Sequence, residues 1–103
     1  MKTQQLSIFL LLALSPIGLL TGCSQQAQLD EHLILGNESF EKGDFNTAEI
    51  AYKNVLQINS SITEAIGNIG LIYYRQARLA KAFPFLSQAR ALEPDNLIYR
   101  SKL

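Results

Sequence analysis

Catalysis needs titratable or nucleophilic side chains held close together, and in this 103-residue chain the candidates are few and scattered. His32 is the single histidine, and no nucleophile stands in a spacing that would pair with it. Glu38, Glu41 and Asp44 are acidic neighbours, but their spacing reads as a solvated helix face rather than a metal site or an acid/base pair. The glycines are isolated and form no phosphate-binding loop. Nine Lys and Arg are balanced by nine Asp and Glu and dispersed along the chain, which is no footprint for nucleic acid. Cys23 is the only cysteine, so an intramolecular disulfide and a Cys-rich zinc site are both excluded. The expectation is a binding protein with no catalytic residue, no metal and no cofactor.

The N-terminal segment differs in kind from the rest. Met1-Lys2 is a short basic start, and Leu6 to Leu20 is apolar apart from Ser7, Ser15, Pro16 and Gly18. A membrane-spanning helix needs ~20 apolar residues, so this shorter, Pro-containing run reads as a secretory signal. Its end, Leu20-Thr21-Gly22-Cys23, resembles a bacterial lipobox: an aliphatic residue, two small residues, then cysteine. That resemblance implies cleavage before Cys23 and lipidation of its thiol with diacylglyceryl and palmitate-type chains. Each buried CH₂ adds ~0.8 kcal/mol, so two or three chains hold firmly where one does not. Ser24 resembles an outer-membrane sorting residue, which implies a protein anchored there and facing the periplasm. Residues 24–28 then read as a polar tether reaching ~17 Å when extended.

The elements that follow are set by an internal echo. An offset of thirty-four residues carries Leu35-Gly36 onto Ile69-Gly70, Phe45 onto Leu79, Ala48 onto Ala82, Tyr52 onto Leu86 and Ile58 onto Leu92. Apolar spacing predicts helices over Asp30 to Lys42, Thr47 to Ile58, Glu64 to Gln76 and about Lys81 to Glu93. Gly43-Asp44 breaks the first pair, Asn46 with Glu49 forms a capping-box-like start, and Pro94-Asp95-Asn96 stops the last helix.

Leu35-Gly36 with Phe40, Gly43-Asp44-Phe45, Ala48, Tyr52 and Leu56 resemble a tetratricopeptide repeat, and Ile69-Gly70 with Tyr73, Ala82, Ala89 and Leu92-Glu93-Pro94 resemble a second. The resemblance implies an all-α fold of two tandem helix-turn-helix hairpins, a right-handed α-solenoid fragment after the signal peptide. The organisation is then 1–22 signal peptide, 23–28 lipidated cysteine and tether, 29–62 and 63–96 the two repeats, and 97–103 the start of a third or a capping stub. The second copy departs from the pattern. Ala77 stands where the turn glycine belongs, Ala80 offers no side-chain cap, and Pro84 falls in the first turns of the last helix. A late or bent start to that helix is expected. A solenoid also needs a cover for its apolar end, and the Phe85-Leu86-Ala89 side is expected to lack one.

Repeats resembling these bind peptides along the first helix of each pair, which implies a groove of Leu33, Asn37, Phe40, Glu41, Asn68, Leu71, Tyr74 and Arg75. Asn37, Asn68 and Lys102 fall on slots of a carboxylate clamp, yet Leu33 and Ile98 stand where the clamp has basic residues. A mixed apolar and polar groove is therefore expected. Residues 29–62 carry six acids and two bases, net −4, and residues 63–103 three acids and six bases, net +3. This polarity suits solvated faces or head-to-tail self-association through the uncovered C-terminal end. The whole resembles lipid-anchored scaffolds and adaptors of pilus assembly, secretion and polysaccharide export, with a secretin or pilus component as partner. The alternative is the N-terminal part of a longer lipoprotein with further repeats or an enzymatic domain.

Overall fold

The computed structural model describes residues 24–102. The segment that reads as a signal with a lipobox-like end, including Leu20, Thr21, Gly22 and Cys23, lies outside the described residues. What is described is all-α: α1 (24–42), α2 (Phe45–Ile58), α3 (Thr63–Arg75), α4 (Leu79–Leu92) and α5 (Leu97–Lys102). They form two tandem helical hairpins, α1–α2 and α3–α4, with α5 opening the next turn. Among the described residues no helix is long and apolar enough to cross a membrane.

The thirty-four-residue offset holds to the residue. Helices α2 and α4 both have 14 residues and start at Phe45 and Leu79; α3 and α5 start at Thr63 and Leu97. The hairpin turns repeat as well. Asp44 N–H donates to the Ser39 carbonyl at 2.9 Å and Gly43 N–H to that of Phe40 at 3.1 Å. In the second hairpin, Arg78 N–H donates to Tyr73 at 2.8 Å and Ala77 N–H to Tyr74 at 3.0 Å. Both are Schellman closures, which place the penultimate turn residue in the left-handed region. Gly43 sits there at φ 79° and Ala77 at φ 60°, so the expected strain at Ala77 is present.

Helix α3 is the middle of the stack. Ala65, Ile66, Ile69, Ile72 and Tyr73 are buried between α2 and α4, against Ala48, Tyr52 and Val55 on one side and Ala82, Leu86 and Ala89 on the other. Each large aliphatic buried here contributes ~1.5–3 kcal/mol. Two glycines set the spacing. A methyl group on Gly36 would lie 2.7 Å from the Tyr52 ring, and one on Gly70 would lie 2.8 Å from the Leu86 side chain.

Four local expectations are corrected. The cap of α2 is Asp44, whose carboxylate accepts from Thr47 N–H at 3.3 Å, and not Asn46; the helix starts two residues early because the turn delivers Asp44 straight to the N-cap position. Residues 24–28 are helical, not an extended tether, with Gln26 donating to Asp30 at 3.1 Å one turn on. Helix α4 starts at Leu79 and runs through Pro84 without a late start. The missing Pro84 N–H would have met the Ala80 carbonyl, and both residues lie on the exposed side of the helix, where losing that bond costs least. Finally, Leu86 and Ala89 are buried, and Phe85 packs tilted on Tyr73 at 5.7 Å. On α4 the open apolar side chains are instead Leu79 and Phe83, 60% and 64% exposed, with Leu92 at 47%.

Candidate functional site

The face shared by α1 and α3 carries the predicted groove residues other than Tyr74, and one hydroxyl organises it. Tyr52, from α2, reaches between the two helices. Its O–H donates to Asn37 Oδ1 at 2.7 Å and accepts from Asn68 Nδ2 at 3.0 Å. Asn37 Nδ2 in turn donates to Glu64 Oε1 at 3.0 Å. A buried phenol needs partners for its polar tip, and two asparagines supply an acceptor and a donor at once. Burial pushes the Tyr52 hydroxyl up to about 12, partly offset by the Asn68 hydrogen bond and reinforced by the charges of Glu64 and Glu41. Asn37 and Asn68 are thus held by the hairpin junction. Their hydrogen-bonding capacity is partly committed before any ligand arrives.

The apolar part of the groove is built from aromatics. Phe40 and Phe45 meet edge to face at 5.7 Å, and the Arg75 guanidinium lies over both rings, 5.0 Å and 5.8 Å from their centroids. Such stacking positions a cation without neutralising it. Leu33 and Leu71 are half-buried against the core, Glu41 is exposed, and Tyr74 is 38% exposed with the Lys102 ammonium 4.9 Å from its ring centroid. The structure therefore joins Asn37 to Asn68 and Phe40 to Arg75, while Tyr74 faces away toward Lys102. Sequence reading missed Tyr52 and Glu64 as parts of this site. Tyr52 reads from sequence as a packing residue, and only its hydroxyl's bonds to Asn37 and Asn68 reveal the second role.

A second polar cluster ties α2 to α3. Glu49 accepts from the Tyr73 hydroxyl and pairs with Lys53 at 2.8 Å, while Arg78 and Lys81 lie over the Tyr73 ring at 5.1 Å and 5.7 Å. Burial alone would raise the Glu49 carboxyl, but the hydrogen bonds from Lys53 and Tyr73, with the charge of Arg78, hold it below its ordinary value. His32 is half-buried on α1. Glu38 and Glu41 are exposed, and Asp44 commits its carboxylate to the cap of α2. Among the described residues no group of three or more His, Cys, Asp and Glu gathers where a cation would sit.

No protein-family profile matches the chain. Two curated proteins are similar to it: cellulose synthase operon protein C of Komagataeibacter sucrofermentans and cellulose synthase 1 operon protein C of Komagataeibacter xylinus. Each is 32% identical over 59 residues, which is 57% of this chain and 4% of the relative. The chain thus matches a small part of the length of those proteins. The shared stretch and the two hairpins in register support a tetratricopeptide-type helical repeat at most.

Proposed function

We propose that this chain is a lipid-anchored adaptor that gathers protein partners for an envelope machine, held by Cys23 on the periplasmic face of the outer membrane, and that it performs no chemistry of its own. The observation that carries the reading is the α1–α3 face. Asn37, Asn68 and Arg75 are fixed there by Tyr52, Phe40 and Phe45, so a partner segment meets a surface whose side-chain entropy is largely spent already. Polysaccharide synthesis or export is the favoured setting, because the similar proteins are named for a cellulose synthase operon. A secretin or pilus component is the other partner class that lipid-anchored repeats of this size suit.

The mechanism is capture at a surface. An extended or helical partner segment lays apolar groups against Leu33, Phe40 and Leu71 and polar groups against Asn37, Asn68 and Arg75, while the acyl chains keep the pair at the bilayer. Two experiments test the halves separately. Wild type incorporates radiolabelled palmitate and Cys23→Ser does not, moving to the soluble fraction; an unlabelled wild type contradicts the anchor. Photo-crosslinking from Leu71 in envelopes yields a discrete protein adduct that Arg75→Glu reduces; adduct formation unchanged by Arg75→Glu contradicts the groove.

A further inference from the structure

The groove side of α3 changes character along its length. Glu64, Asn68, Leu71 and Arg75 stand at i, i+4, i+7 and i+11, so they line one stripe of the helix in the order acid, amide, apolar, base. Both ends are fixed on α1 by contacts that leave their charges open. Glu64 accepts from Asn37 Nδ2 at 3.0 Å, and the Arg75 guanidinium lies 5.0 Å from the Phe40 ring centroid. Among the described residues the one ion pair is Lys53 with Glu49, so no cation is within salt-bridge distance of Glu64 and no carboxylate within that of Arg75. Both residues are exposed. Three turns of α3, about 16 Å, separate them.

The same contacts decide what the two amides can still take. Asn37 spends its oxygen on the Tyr52 hydroxyl and one N–H on Glu64, and Asn68 spends one N–H on Tyr52. What is left is a second N–H on each amide and the Asn68 oxygen, which match the C=O and N–H of a passing backbone. A chain-terminal carboxylate is disfavoured. Laid on Asn37, it would stand beside Glu64, whose carboxylate already takes that amide. Burial, and beyond it the charges of Glu64 and Glu41, raise the Tyr52 hydroxyl, so the negative field reaches the middle of the groove.

We infer that the groove takes an internal, extended segment of a partner protein, one whose basic side chain pairs with Glu64 and whose acidic side chain, about five residues away, pairs with Arg75. An extended strand rises ~3.3 Å per residue, so five residues cover the span between the two charges. An apolar side chain between them rests on Leu71 and Leu33, which are half-buried against the core. This selection presupposes the adaptor reading and adds to it the kind of segment chosen.

The test is fluorescence anisotropy with the full chain and labelled peptides whose ends are both blocked. They carry an arginine and a glutamate about five residues apart with leucines between, in either order of the two charges. One control replaces the arginine by glutamate, and another drops the arginine and ends in a free carboxylate. One order of the arginine–glutamate peptide binds, and the controls do not. Glu64→Gln keeps an acceptor for Asn37 and loses only the charge. It and Arg75→Gln, both shown by circular dichroism to be folded, each weaken binding about fivefold. Preferred binding of the free-carboxylate peptide, equal binding of all peptides, no binding, or binding unchanged by Glu64→Gln overturns the selection. In each of those cases a photo-adduct from Leu71 in envelopes leaves the adaptor reading standing, and its absence sinks both.

Discussion

The Asn68 amide donates to the Tyr52 hydroxyl at 3.0 Å, and this bond joins the second helix of one hairpin to the first helix of the next. Because Asn37 accepts from the same hydroxyl, Tyr52→Phe strips both asparagines of a partner at a part-buried site. We expect a loss of about 1–3 kcal/mol in urea denaturation. Unchanged stability would show that water replaces the phenol at no cost.

The same hydroxyl makes a prediction in alkali. Burial raises its folded-state value from 10.0 to about 12, so the neutral form is favoured by folding. The associated stability is full below pH 10 and is lost as pH rises through the folded-state value. Tyr73 and Tyr99 are raised as well, both chiefly by burial. Thermal melts between pH 9 and pH 12 should therefore fall steeply in wild type and less steeply in Tyr52→Phe. Parallel curves for the two proteins would refute the assignment.

On the acid side the sensitive group is Glu49. Its folded-state carboxyl lies below the ordinary 4.5, so its contribution is present above that pH and lost as pH falls through the lowered value. Glu49→Gln should cost about 1 kcal/mol at neutral pH, by weakening the Tyr73 and Lys53 contacts, and should flatten the acid limb. Asp44 is also lowered, by its hydrogen bonds with Thr47, so part of the acid limb should persist in Glu49→Gln and disappear only when Asp44→Asn is added.

Ala77 at φ 60° occupies the position that Gly43 fills at φ 79°. Ala77→Gly removes a Cβ from the left-handed region and should stabilise the protein by about 1 kcal/mol, a shift of several degrees in melting temperature. Gly43→Ala should cost a similar amount. A melting temperature that falls in Ala77→Gly would mean that the added freedom of the unfolded chain outweighs the relieved strain.

Gly70→Ala should destabilise by about 1–3 kcal/mol, since its methyl would stand 2.8 Å from the Leu86 side chain and 3.1 Å from the Leu86 backbone nitrogen. The backbone contact leaves little room for repacking. A neutral outcome, measured by urea titration, would show that α3 and α4 slide apart freely.

Most of the architecture was legible because the apolar slots recur at a fixed offset and the hairpins obey it: Phe45 with Leu79, Thr63 with Leu97, Gly43 with Ala77. The helix starts were read less well where capping chemistry is degenerate. Asp44 and Asn46 are both good caps, and only the Schellman geometry of the preceding turn selects Asp44. Pro84 suggested a late or bent start to α4, and its effect is absorbed because Ala80 and Pro84 both lie on the exposed side of the helix. On the candidate groove, side-chain types on α1 and α3 were enough to single out Asn37, Asn68 and Arg75 as candidates. They could not show that Tyr52 binds both asparagines or that Phe40 and Phe45 hold Arg75, since those contacts join residues far apart in the chain. The Tyr74–Lys102 contact was illegible for the same reason.

The account's central claim is that this chain binds protein through the face shared by α1 and α3. Photo-reactive residues placed singly at Leu71 on that face and at Ile50, exposed on α2, test it in intact envelopes. The account predicts one discrete adduct from Leu71 and none from Ile50. Equal crosslinking from both positions, or adducts from Ile50 alone, would contradict it.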